Sequence, residues 1–575
     1  MTRRQLLDTI RANPNVAVLI AGAGVNGAGL FRELALQGVD TLLVDKADFC
    51  SGTSAASSRL IHGGLRYLEN GEFRLVRESL RERNLLLRNA AHYVKPLPTT
   101  IPIFAWTAGV FGAAARFFRL TAPKPANRGA LLIKVGLTMY DLFTLGNRAT
   151  PSHRFASRER ALALHPQLNP EVVCTATYYD AWVTYPERLC LELVEDAEAL
   201  SPHARAAGYL RVEQAAGDSV TLRDEVTGET VEVRPQILVN ATGAWIDFTN
   251  RALGRPTRFI GGTKGSHLVL DHRGLYQATR GEMLYFETAD GRVCLIFPFH
   301  DKVLAGTTDI RVDDPETARC DEGEIDYILQ TVRRVFPSIA VDRSHVVFTY
   351  CGVRPLPSSE SATTGQISRD HSCEVTPPGD GVAFPIYSLV GGKWTTFRAF
   401  AEQVADQVLD ALGRTRHAGS EHLAIGGGQG YPRSDRAHAA LLDALREKTG
   451  LPRARLEALL ERYGTRADPI AAYIAGDDDA PLQHHPGYSR REIEYLASRE
   501  RVVHLDDLVL RRTSIALLGR LTADLLAELA AITGAALGWS EAERQREIER
   551  AALILERNHG LKAADLLPAA SRATA

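Results

Sequence analysis

The chain has 575 residues, 45% of them hydrophobic and 24% charged, with a formal net charge of -2 at pH 7. That length exceeds what one hydrophobic core usually serves, so two or three structural units are expected. The balanced charge, with no block of one sign, gives no footing for nucleic acid, and seven cysteines without CxxC or metal-like spacing fit a reducing compartment rather than a disulfide framework or a metal site. The opening MTRRQLLDTIRANPN lacks the apolar core of a secretory signal, so synthesis and residence in the cytoplasm are expected.

Val16 to Ile20 reads as a buried parallel strand that runs into Gly22, Gly24 and Gly27 with GxGxxG spacing. The helix-like LFRELALQG follows, and the next strand, TLLVD, ends on Asp45. In that arrangement the first glycine makes the tight turn, the second lets backbone approach a pyrophosphate, and the third lets helix and strand pack closely. The acid is placed for a ribose. A bound dinucleotide is the expectation, against an ordinary strand-turn-helix connection.

The following loop carries Ser54, Ser57, Ser58 and Arg59, then His62-Gly63-Gly64-Leu65-Arg66-Tyr67, before an amphipathic helix with Leu75, Leu80 and Leu85 to Leu87. Glycines, arginine and tyrosine together suit an anionic ligand; a pairing of Arg66 with Glu69 and a core position for Tyr67 are the structural alternatives. Pro96 to Ala115 is uncharged and about as long as a membrane span, but its prolines and threonines make a poor spanning helix. With Arg116, Phe117, Phe118 and Arg119 behind it, the segment reads either as a peripheral membrane contact or as a buried connector.

A helix from Pro186 leads to a β-meander, YLRVEQAA, SVTLRDEVTG and ETVEVRPQILVN, whose last strand ends at Ala241-Thr242-Gly243, a second place for backbone to meet a ligand. Between Gly261 and Thr349 alternating apolar and polar residues predict an antiparallel sheet, interrupted by the helix EGEIDYILQTVRRVF. PIYSLVGGKWTTFRAFAEQVADQVL then repeats strand, double glycine and helix start. Beyond Gly413 the spacing is helical throughout, and no chemistry is expected there.

The string SAASSRLIHGGLRYLENGEFRLVRESLRERNLLL is similar to a signature of the FAD-dependent, respiratory quinone-linked glycerol-3-phosphate dehydrogenases. The resemblance continues at Tyr178-Tyr179-Asp180-Ala181-Trp182-Val183, Asn240-Ala241-Thr242-Gly243-Ala244-Trp245, Lys264-Gly265-Ser266-His267, Gly306-Thr307-Thr308-Asp309 and Tyr350-Cys351-Gly352-Val353-Arg354-Pro355-Leu356. It extends to Ser368-Arg369-Asp370-His371, Gly391-Gly392-Lys393-Trp394-Thr395-Thr396-Phe397-Arg398 and Leu505-Asp506-Asp507 with Arg511-Arg512-Thr513, and so covers almost the whole chain.

The resemblance implies an α/β fold: a Rossmann-like FAD-binding domain from segments 1–99, 185–258 and 349–412, an antiparallel β-sheet substrate cap from 100–184 and 259–348, and an all-helical C-terminal domain from 413–575. It implies FAD held by Gly22, Gly24, Gly27, Asp45, Ser54, Ser58, Arg59, Thr242, Gly243, Gly392 and Thr395. Glycerol 3-phosphate would be bound by Arg66, Tyr67, Arg354, Arg369 and Lys393, since a phosphate dianion asks for several cations where a carboxylate asks for one. Arg354 would polarise the C2 oxygen, and His267, expected to titrate near neutrality, would take the proton, with His62 as its rival.

A membrane quinone is the implied acceptor, because the long insertion of the oxygen-using relatives is missing, and peripheral contact at the inner face of the cytoplasmic membrane goes with it. Oligomeric state stays open, a homo-oligomer included. Thr184-Tyr185-Pro186-Glu187 departs from the acidic pair of many relatives. Oxygen as acceptor, another phosphorylated alcohol or amine as substrate, and a non-catalytic flavin-binding protein are the competing readings.

Overall fold

The computed structural model describes residues 3–65, 72–106, 129–143, 150–288, 292–358 and 370–567. Two sheets and a helical region organise it. In the first sheet the strands run in the order Ser372–Thr376, Ile386–Val390, Thr230–Asn240, Asn15–Ala21, Thr41–Val44 and Ala204–Ala207. All neighbours are parallel except the first pair. The central strands are buried over most of their length, which is why Asn15–Ala21 reads as a continuous apolar run. The expected meander is present: Leu210–Ala216 and Ser219–Asp224 pair antiparallel and extend the base of Thr230–Asn240.

Helix Val25–Leu36, buried on nearly every side, lies between helices Pro186–Leu200 and Phe397–Ala411. Its apolar side chains join one core on that face of the sheet, while helix Arg3–Ala12 covers the other face through Leu6, Leu7 and Ile10.

The second sheet runs Ile310–Arg311, Thr263–Leu270, Lys302–Gly306, Val293–Phe299, Met283–Glu287, Val94–Ile103, Cys174–Val183 and Leu60–Ile61, with Val346–Arg354 also paired to Thr263–Leu270. It is antiparallel except between Met283–Glu287 and Val94–Ile103. Helix Glu322–Val335 packs its apolar side on one face and begins with a capping box between Asp321 and Glu324.

Val94–Ile103 decides part of the question raised by the apolar stretch from Pro96: up to Ile103 it is an inner strand of this sheet, so the buried reading holds there. Residues 107–128 lie outside the described residues. No helix among the described residues is long and apolar enough to cross a membrane.

Beyond Gly413 every regular element described is helical. Leu456, Leu459, Leu508, Leu525 and Leu529 share one core with Phe297, Phe299 and Tyr350 of the second sheet, so the helical region is built onto that sheet.

Candidate active site

Three strand ends of the first sheet come level: Ala21 stands opposite Val44 on one side and Asn240 on the other. Gly22, Asp45 and Ala241 therefore leave the sheet together. Gly22 has φ +103°, and a Cβ there would lie 2.6 Å from the Ala241 carbonyl oxygen. One added at Gly27 would lie 1.9 Å from the Gly22 carbonyl oxygen, so the turn and the helix have no room for a side chain. The Asp45 carboxylate accepts hydrogen bonds from Ala23 N (2.7 Å) and Ala47 N (3.0 Å), and Ser54 Oγ accepts one from Val25 N (3.0 Å). Burial pushes Asp45 up to about 6.

These ends open into a cavity of about 980 Å³. Of the residues expected from sequence, Gly22, Gly24, Asp45, Ser54, Ser58, Arg59, His62, Thr242, Gly243, His267, Arg354, Gly392 and Lys393 line it. Gly27 sits behind the wall as a packing residue. Thr395 supports the wall by accepting a hydrogen bond from His62 N (3.1 Å). Arg66, Tyr67 and Arg369 lie outside the described residues.

The segment after His62 is fixed by a buried polar knot. Asp180 Oδ1 accepts from Gly63 N (3.0 Å), Arg83 Nη1 (3.1 Å) and Tyr140 Oη (2.5 Å), which brings the sequence strings around His62 and Asp180 together. Lys393 follows the double-glycine turn, lines the cavity and donates to Ser79 Oγ (2.9 Å).

Strands Thr263–Leu270 and Val346–Arg354 supply the opposite wall. Arg354 is held by Asp309 Oδ1 (3.2 Å), Thr307 Oγ1 (3.0 Å) and the Thr308 carbonyl (3.2 Å). Gly265 makes room for it, since a Cβ there would meet Nη2 at 2.2 Å. Its neighbour Lys264 is structural, tied to Asp321 (2.9 Å) and Glu324 (2.7 Å).

His267 is 1% exposed, stacked on Tyr350 and hydrogen-bonded through Nε2 to Ser58 Oγ (2.7 Å). Its Nδ1 is buried and has no partner among the described residues. The near-neutral titration expected of it does not hold: burial first, then the charges of Arg354 and Arg59, lower it to about 3. Arg59 commits its guanidinium to Glu187 Oε1 (2.6 Å) and the Thr184 carbonyl (3.1 Å), so the segment that departs from the relatives' pattern anchors this arginine.

The helical region does reach the site, against expectation. Asp506, Leu510, Arg511, Arg550, Ile554, Asn558 and His559 line the same cavity. His559 stacks on Phe348 and sits with Nδ1 3.0 Å from the Thr349 carbonyl. Arg511 and Arg512 both donate to Asp48, three positions beyond Asp45, with Arg512 bidentate at 2.7 and 2.8 Å. Helical spacing shows where these helices are, while the convergence of their tips exists only in three dimensions. The one sequence signal was the pairing of Asp506-Asp507 with Arg511-Arg512.

The donor set fits a dinucleotide. Gly24 stands at the N-cap of Val25–Leu36 with no side chain to cap it, a glycine cradle excludes Cβ atoms, and a carboxylate waits at the second strand. A buried imidazole nitrogen with no partner among the described residues lies in the wall of the same cavity.

Comparison with known proteins gives a FAD dependent oxidoreductase family match over residues 17–407 and a match to the C-terminal domain of alpha-glycerophosphate oxidase over 418–544. The chain is 34% identical to a glycerol-3-phosphate dehydrogenase of Synechocystis over 94% of its own length and 96% of that protein's. It is 29% identical to the mitochondrial glycerol-3-phosphate dehydrogenase of Mus musculus over 98% and 76% of the two chains. Among solved structures, the glycerol-3-phosphate dehydrogenase of Bacillus halodurans complexed with FAD shares the fold, with a TM-score of 0.73, 23% identity and 97% of each chain covered.

Proposed function

Because the chain belongs to the FAD-dependent glycerol-3-phosphate dehydrogenases, we propose that it oxidises sn-glycerol 3-phosphate at C2 to dihydroxyacetone phosphate and passes the electrons to a quinone. The observation that carries this reading is the single cavity that joins the dinucleotide cradle to His62, His267, Arg354 and Lys393. When bound, FAD supplies a two-electron acceptor, N5 of its ring, for the hydride leaving C2.

The protein's own task is to hold the substrate and move one proton. Arg354, its plane fixed by Asp309 and Thr307, polarises the C2 oxygen. Lys393, together with Arg66, Tyr67 and Arg369 as the resemblance implies, binds the phosphate. His267 is neutral at working pH and accepts the hydroxyl proton, with His62 as the second candidate. With a folded pKa of about 3, His267 as acceptor leaves flavin reduction flat from about pH 5 to 8; an acid limb inside that range refutes His267 as the acceptor.

Anaerobic addition of glycerol 3-phosphate to the yellow holoprotein should bleach the flavin within mixing time. A flavin that keeps its colour refutes the substrate. Reoxidation should then be faster with a quinone than with oxygen, and the reverse order makes the protein an oxidase. Peripheral membrane contact belongs to the quinone reading. It is supported by Leu131, Val135 and Leu142, 54%, 52% and 58% exposed on helix Ala130–Phe143, and by Trp106 at 61%. The division into cap and cofactor segments at 99, 184, 258, 348 and 412 remains part of this proposal.

A further inference from the structure

Asn26 occupies the second position of helix Val25–Leu36, inside the glycine motif, and lines the cavity. Its Nδ2 donates to the carbonyl of Gly391, 3.3 Å away and 365 positions along the chain. A carbonyl only accepts, so this bond sets the orientation of the amide and leaves Oδ1 as an acceptor. Oδ1 is buried and has no partner among the described residues. A buried acceptor without a donor is costly unless a ligand completes it.

The surroundings preserve this arrangement. Gly392 has φ +85°, and a Cβ there would lie 2.3 Å from Asn26 Nδ2 and 2.9 Å from Oδ1. The double-glycine turn is thus shaped around the amide as well as around its own backbone. Asn26 is also the direct side-chain link between the first glycine motif and the turn that carries Lys393.

Its place along the cavity identifies the missing donor. The glycine loop and Asp45 mark the pyrophosphate and adenosine ribose of a dinucleotide, and Asn26 leads from that loop to the turn that carries Lys393. Between the pyrophosphate and the ring of a flavin dinucleotide runs the ribityl chain, whose polar groups are hydroxyls, each able to donate.

We propose that Asn26 is a cofactor-positioning residue whose Oδ1 accepts a hydrogen bond from a ribityl hydroxyl of FAD. Held by Gly391, the amide would anchor the chain that joins the pyrophosphate to the ring. The inference rests on FAD as the cofactor.

The test is a binding cycle on apoprotein, read as flavin fluorescence quenching, with FAD and with FAD analogues that each lack one ribityl hydroxyl. Wild type should lose about tenfold in affinity for one analogue, the worth of a hydrogen bond. Asn26→Ala should lose about tenfold for FAD and nothing further for that analogue. A general disturbance of the fold would instead weaken FAD and every analogue by the same factor and leave the analogue penalty intact, which overturns the proposal. So does a wild type indifferent to all the analogues. Should Asn26→Ala fail to fold, Asn26→Ser runs the same cycle with the same two outcomes. Wild-type apoprotein that binds no FAD at all would instead count against the cofactor assignment.

Discussion

At the scale of single residues, Gly27 and His267 make opposite demands on their surroundings. Gly27 must carry nothing, since an added Cβ would stand 1.9 Å from backbone that cannot swing away. Gly27→Ala should therefore purify without the flavin absorbance band and melt earlier by the equivalent of about 2–3 kcal/mol. His267 must stay uncharged. Its folded pKa, about 3, lies below the unfolded value near 6.5, so its contribution to stability is complete above about pH 6.5 and is lost as pH falls towards 3. His267→Gln should remove up to about 1.4 kcal/mol per pH unit from the acid limb of the urea stability profile, measured between pH 6.5 and 4. Equal slopes for the two proteins would mean that the imidazole is already charged. The glycine spacing was legible because it is a local pattern. The titration of His267 was not, because it depends on burial and on Arg59 and Arg354, which are distant in sequence.

At the scale of elements, the strand Val94–Ile103 shows where pattern reading falls short. Three prolines argue against a strand, yet Pro96, Pro98 and Pro102 share one parity, so their missing N–H groups all fall on one side. The ten-residue ladder to Cys174–Val183 is retained, while the other side pairs only Thr99 and Thr100 with Met283 and Leu284. The amphipathic helix after the histidine loop, Phe73–Asn89, was legible from its leucines. Its buried arginine was not, because Arg83 finds its counter-charge on Asp180 of the partner strand. Asp180→Ala should leave Arg83 buried without that charge and free the backbone of Gly63, costing about 3–5 kcal/mol in chemical denaturation. Asp180→Asn, which keeps the shape and one acceptor, should cost less.

At the scale of the whole molecule, two sheets and a helical region share responsibility for one cavity. The first sheet and the helical region were legible from apolar runs and helical spacing, each a property of a contiguous segment. The closure of the site by Asp506, Arg550 and His559 was not, because it depends on the helical region docking on the cofactor-side loop through Arg511 and Asp48, 463 positions apart. Asp48 and Arg512 are buried in this clamp, and removing the carboxylate leaves Arg512 without its bidentate partner while Arg511 keeps Asp506 and Asp507. Asp48→Ala should lower the thermal midpoint of the apoprotein and weaken FAD retention on gel filtration, with Asp48→Glu recovering part of both. Retention unchanged beside a lowered midpoint would confine the clamp to stability.

The same clamp orders events in time. During synthesis the glycine cradle, Asp45 and Asp48 leave the ribosome well before Arg511, which follows Asp48 by 463 positions, and before Arg512 and His559 behind it. A nascent chain can build the first sheet's central strands early, yet Asp48 lacks Arg511 and Arg512, and the cavity lacks its Arg550 and His559 side, until the helices that carry them have emerged. Completion of the site is thus a late act of biogenesis, and a chain cut short before Arg511 carries an open cradle and an unpaired buried acid rather than a smaller working enzyme.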